Sequence, residues 1–217
     1  MFIGHYGVSF AAKAVDKRIP LWVLFIAAQL VDIFWTIFVL LGVEQVRLAP
    51  GITATSPLDF YFYPYTHSLI ASLVWGALAM LVYRALRPRA ETWRTALIVG
   101  IAVASHWILD LLVHRPDLAL FGDALKVGFG LWNYPLVSTG LEIIFLVGGM
   151  ILYYRSTTPI SPSGKYAMAI FGIVMIALFV MSGLGPPPPD TTSIPIVGLV
   201  MYLTLTAIVF WLERKRK

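Results

Sequence analysis

The sequence predicts an all-α integral membrane protein of about six transmembrane helices plus a short N-terminal half-helix. Three observations predict it. Of the 217 residues, 59% are hydrophobic and 12% charged, about half the charged share of an ordinary soluble domain. Mean hydropathy is +0.82. Several apolar runs approach the roughly 20 residues needed to cross a bilayer. The absence of cysteine excludes disulfides, thiolate catalysis and Cys-ligated metals. The net charge of +5 is concentrated at the ends of apolar runs and in the C-terminal tail. It therefore speaks to membrane orientation, and no nucleic-acid partner is expected.

Residues 2–16 read as a helix too short to span, followed by a basic turn with Lys13, Lys17, Arg18 and Pro20. Residues 21–42 form the first full span, with Asp32 near its middle. A loop rich in Pro, Thr and aromatic residues leads to Thr66-His67-Ser68, and residues 67–86 form the second span. The arginines at 84, 87, 89 and 94 precede a third span at 95–114. A long loop from Arg115 to Val137 precedes the fourth span, 138–154, which carries Glu142. Residues 166–184 and 194–212 make two further spans joined through Pro186–Pro189, a stiff polyproline connector. No removable signal peptide is expected, because no basic region followed by an apolar run and a small-residue cleavage site opens the sequence. The chain reads as one polytopic domain over 1–217: residues 1–154 bear the polar groups, and 155–217 supply apolar scaffold helices and a basic tail.

The basic turns and the tail fall on one side of this arrangement, which the positive-inside rule makes cytoplasmic. The C-terminus is then cytoplasmic, and the N-terminus is cytoplasmic or embedded. A bacterial inner membrane is the expected location.

The third span contains Ser105-His106-Trp107-Ile108-Leu109-Asp110 and ends at His114. His106, Asp110 and His114 recur every four residues, along one slowly turning helix face. A His and a carboxylate one turn apart can converge on one metal ion. Depth draws in further residues. At 1.5 Å per residue from the nearest basic anchor, His5, Asp32 and His106 lie about 18 Å in, Glu142 about 20 Å and His67 about 25 Å. Asp110 is one turn beyond His106. Ionisable residues from separate segments thus share one layer in the outer half of the bilayer, where each needs a partner or a polar cavity. Imidazole plus carboxylate without thiolate suits zinc, with manganese or iron as alternatives. Asp32, His67, His106 and Asp110 are the expected ligands, His5 is the candidate for a second ion, and His114 is either a ligand or a group facing substrate.

The order Gly4-His5, Asp32, Thr66-His67-Ser68 and Ser105-His106-x-x-x-Asp110 resembles the YdjM-like membrane proteins, a family described as membrane-bound metal-dependent hydrolases. The resemblance covers roughly residues 1–115. The ligand order is also similar to that of zinc-dependent phospholipase C and nucleases of the P1 type. That similarity implies Asp110 as a bridging carboxylate and His5 as a ligand of a second ion. The chain has Val31-Asp32-Ile33-Phe34 where the family has Pro-Asp-x-Asp, and Tyr63-Pro64-Tyr65 where it has His-Arg-Gly.

The expected function is a membrane-embedded metal-dependent hydrolase acting on a lipid or lipid-linked substrate, a phosphoester for preference. Glu142 would be general base or further ligand. Arg115 would either clamp a phosphate or pair with Asp117. Tyr61, Tyr63, Tyr65 and Trp132 read as interfacial anchors. The alternatives are an ion- or proton-coupled transporter or channel, which also places His and carboxylates at mid-membrane, and a structural subunit of a membrane complex. A homo-oligomer is compatible with the last two spans.

Overall fold

The computed structural model describes residues 1–87 and 92–217, so that Arg89 of the arginine cluster lies outside the described residues. In chain order the helices are α1 (Ile3–Val15), α2 (Leu21–Ala28), α3 (Leu30–Leu40), α4 (Pro64–His67), α5 (Leu69–Leu86), α6 (Trp93–Val113), α7 (Pro135–Ser156), α8 (Pro162–Leu184) and α9 (Ser193–Glu213). Among the described residues, five helices are long and apolar enough to cross a membrane, and α2 with α3, bent by 52°, makes a sixth if the pair is one span. The protein is an all-α integral membrane protein.

The bend lies within the segment 21–42 expected as the first full span. It falls at Gln29, whose φ and ψ of −107° and 8° leave the helical region. The Gln29 side chain donates to the Phe2 carbonyl at 3.1 Å, tying the break to the start of α1.

The short α1 is a half-helix, packed against α7, α2 and α6 with most of its residues buried. A helix that begins inside an apolar environment leaves its first N–H groups without partners. Glu142 of α7 supplies them: its two carboxylate oxygens accept from Phe2 N at 2.8 Å and Gly4 N at 2.7 Å. Negative charge there also suits the positive end of the helix dipole. Glycines bring the two backbones together. A Cβ at Gly7 would lie 2.1 Å from the Phe145 carbonyl oxygen, and one at Gly149 would lie 2.1 Å from the Gly7 carbonyl oxygen. The α5–α6 pair uses the same device at Gly76 and Gly100, the small-residue packing common between membrane helices.

The two long connectors, expected as loops, each contain a short antiparallel hairpin. β1 (Gln45–Leu48) pairs with β2 (Leu58–Phe62), and β3 (Leu118–Phe121) pairs with β4 (Ala124–Val127). Both hairpins sit at the same end of the bundle, opposite the basic turns. Pairing satisfies backbone groups that a loose loop near the membrane would leave open.

Candidate metal centre

The site is built where the half-helix α1, the break in α2–α3, the short α4 and the last turns of α6 meet. Asp110 is its hub. Its carboxylate oxygens lie 3.2 Å from His5 Nε2, 3.2 Å from His106 Nε2, 3.8 Å from His67 Nε2 and 3.9 Å from His114 Nε2. The chain has four histidines, and every one of them turns Nε2 toward this carboxylate. The Met1 nitrogen also contacts Asp110. Asp32 lies across the site, with one oxygen 3.2 Å from His67 Nε2 and 3.5 Å from His106 Nε2. Its other oxygen accepts from the Tyr202 hydroxyl at 3.1 Å. The His5 and His106 rings are stacked, with centroids 3.8 Å apart.

The opposite ring nitrogens are tied to oxygen atoms. His106 Nδ1 donates to the Ala28 carbonyl at 2.9 Å, a carbonyl at the end of α2 that the bend opens to a side chain. His67 Nδ1 donates to Thr66 Oγ1 at 2.8 Å, and Thr66 Oγ1 donates onward to Glu44 at 2.6 Å. Glu44 also accepts from Tyr65 N and Thr66 N, which fixes the first turn of α4 and places His67 at its end. Glu44 stands outside the spans, and its burial pushes its carboxyl above the ordinary value. His114 Nδ1 donates to Asp117 at 3.0 Å. Of the four Nδ1 atoms, that of His5 has no hydrogen-bond partner among the described residues.

The donor atoms are close enough to hold an ion. One ligand atom each from His67, His106 and Asp110 lie within 4.8 Å of one another, as do those from His5, Asp32 and His106. On one side a cavity of about 330 Å³ reaches Asp32, His67, Asp110 and His114, while its other walls include Trp35, Phe60, Val197 and Met201. His5 and His106 close the far side. The ligand set is enclosed behind and open to the cavity in front.

The expected residues Asp32, His5, His67, His106, Asp110 and His114 therefore come together, whereas Glu142 caps α1 and Arg115 takes the second of its two expected roles, pairing with Asp117. Both Glu142 oxygens are spent on the start of α1, so it is a positioning carboxylate and not a free base on the ligand set. Arg115 is not a free phosphate clamp. Its Nε donates to Asp117 at 3.0 Å and its Nη2 contacts Asp59, which also takes Arg47 at 2.6 Å. One residue read as an interfacial anchor is interior: Tyr63 is buried and bonds His114 and Asp117. Trp132 is half-buried, with its ring 4.2 Å from that of His114. The exposed Tyr61 and Tyr65 keep positions that suit anchors. Gly128 and Gly130 hold the end of α6: Phe129 N donates to Leu111 O and Gly130 N to His114 O. A Cβ at Gly128 would meet the Arg115 carbonyl oxygen at 2.2 Å.

Sequence reasoning missed Glu44, Tyr202 and the Gln29 break. Thr66 stood inside the Thr-His-Ser motif, but nothing local distinguished Glu44 or Tyr202, since both reach the site from elements distant in the chain.

No family model matches this chain, and no solved structure matches it. A curated protein of Neurospora crassa described as an N amino acid transport system protein is 26% identical over 110 residues. That match covers 48% of this chain and 23% of the relative, so the chain spans under a quarter of the relative's length.

Proposed function

We propose that this protein is a membrane-embedded metal-dependent hydrolase. A divalent cation, zinc before manganese or iron, is held among Asp32, His67, His106 and Asp110, with His5 and His114 beside it. The observation that carries this reading is the common orientation of the imidazoles: all four present Nε2 to Asp110, and three have Nδ1 fixed by an oxygen acceptor. A neutral ring donating through Nδ1 has a lone pair on Nε2. Lone pairs aimed at carboxylate oxygens repel unless a cation lies between them, and second-sphere Nδ1 bonds of this kind orient metal-ligating histidines. Two carboxylates also offset the charge of a divalent ion, which suits a site at this depth.

Bound there, the cation supplies Lewis acidity and a water of lowered pKa. The chain's residues do the rest. Glu44 and Thr66 hold the His67 ring, and Ala28 holds that of His106. Aromatic and aliphatic walls limit bulk water and accept an apolar group. His114, backed by Asp117, stands at the cavity wall where a proton can be taken up or returned. The apolar walls favour a lipid or lipid-linked substrate, with a phosphoester first because a divalent cation neutralises its charge.

Elemental analysis of detergent-purified protein, wild type beside His106→Ala/Asp110→Ala, tests the site. About one or more ions per chain, lost in the double variant, is expected, together with chelator-sensitive hydrolysis of phosphoester or lipid-ester probes. A folded, metal-free wild type would mean that the rings are protonated instead and would end this reading.

The broken α2–α3 span favours a second reading, transport, since interrupted helices beside polar groups form ion and substrate sites in transporters. The similarity to a transport-system protein points the same way. Ion or amino-acid flux into liposomes, without hydrolysis, would establish it.

A further inference from the structure

The helix α8 leaves the bundle on one side. Its buried residues, Gly164, Met168, Phe171, Gly172 and Met175, all precede Ile176. From there to Leu184, at the hairpin end, the helix is half-buried or exposed. The space behind it is a second cavity, of about 320 Å³. Its floor is polar, with Ser138 and Glu142 of α7 both buried, and its wall is the departing helix with Phe179, Val180 and Leu184. Trp132 and Ser182 line both this cavity and the one that reaches the metal ligands. A polar floor, an apolar wall facing outward and two residues shared with the cavity at the ligand set describe a seat for an amphiphile.

We infer that the wedge behind α8 binds one bilayer lipid, which enters sideways between α8 and its neighbours. Its acyl chain lies along Phe179–Leu184, and its headgroup faces Asp32, His67 and Asp110. Lateral entry requires no exposure of the acyl chain to water. A phospholipid fits because its polar headgroup meets a polar floor and its chain meets an apolar helix face. That its headgroup is anionic and that it is also the substrate rest on the metal-dependent hydrolase reading; that a lipid chain lies behind α8 does not.

The test uses the full chain reconstituted in phosphatidylcholine vesicles containing phosphatidylglycerol with a photoreactive diazirine in its acyl chain. After irradiation, labelled positions are mapped by peptide mass spectrometry. Labelling of Phe179–Leu184 and Pro135–Thr139 should exceed by about fivefold that of Leu97, Ile101 and Ile173, which are as exposed but outside the wedge. Gly183→Trp and Val180→Trp, which fill the wedge, should remove the excess and leave metal content unchanged. Even labelling of all apolar faces in the wild type would overturn the inference without recourse to any variant. A metal-free protein with the wedge pattern intact would end the hydrolase reading and leave the lipid seat standing. A metal-loaded protein with even labelling would do the reverse.

Discussion

At the scale of single residues, the site depends as much on groups that never face the cavity as on those that do. Glu44 touches no candidate ligand, yet it bonds two backbone amides of α4 and the Thr66 hydroxyl on which His67 rests. Glu44→Gln keeps the shape of the side chain and replaces a charged acceptor with an amide. Removing such outer support commonly costs 10–100-fold in metal affinity. A loss in that range is the expected outcome for zinc retention under competing chelator, with the helix content of the variant unchanged. Tyr202→Phe removes one hydrogen bond to Asp32. A single such bond contributes about 1 kcal/mol, so the same titration should show only a fivefold weakening or thereabouts. The ligands themselves were legible in the sequence because cost exposes them: a His or Asp at mid-membrane depth needs a reason, and four-residue spacing supplied one at His106 and Asp110. Glu44 and Tyr202 were not legible. One sits in a connector where a carboxylate is ordinary, and the other is a tyrosine in an apolar helix where an aromatic residue is ordinary.

At the scale of elements, α1 is the unusual part, because a half-helix buried in a bundle has few ways of being held. The Gly7–Gly149 crossing lets it approach α7, and Glu142 closes its N-terminus. Gly7→Val would drive a side chain into the Phe145 carbonyl, a backbone atom that cannot step aside as a side chain would. Overpacking typically costs about 1–3 kcal/mol, and here it also displaces His5. A lower melting temperature together with loss of bound metal is expected, while Gly148→Ala, with open space around it, should leave both unchanged. The other end of α1 is held by charge. Hydrogen bonds from the Arg18 guanidinium hold the Asp16 carboxyl at about 2, below its ordinary 3.8, and Thr95 adds a further bond. A depressed carboxylate stabilises the fold above its unfolded value and loses that contribution as pH falls through the folded one. Melting temperatures should therefore drop between about pH 4 and pH 2 by more in the wild type than in Asp16→Asn. The break at Gln29 shows the limit of pattern reading at this scale. Residues 21–41 contain no Pro or Gly to announce a bend. The bend arises from tertiary contacts, the Gln29 bond to Phe2 and the His106 bond to Ala28, which no local window contains.

At the scale of the whole molecule, the architecture separates into a basic end and a hairpin end, with the candidate centre and both cavities nearer the hairpins. Hydropathy made the spans legible, since a backbone in lipid has no choice but to close its own hydrogen bonds. The splay of α8 was not legible, because a helix facing lipid and a helix facing a lipid-filled wedge carry the same apolar residues. The charges predict an orientation. Lys17, Arg18, Arg155, Lys165 and the basic tail crowd one end, which the positive-inside rule predicts to be cytoplasmic. The candidate centre would then serve the opposite leaflet. Because the chain has no cysteine, single substitutions report on this without background. Asp123→Cys in the turn between β3 and β4 and Pro187→Cys in the α8–α9 connector are both exposed at the hairpin end. They should react with a membrane-impermeant maleimide added to intact cells. Ser163→Cys, exposed at the basic end, should react only after the membrane is opened. The reverse pattern would place the cavities, and any lipid drawn into them, in the cytoplasmic leaflet, and the search for a substrate would move there with them.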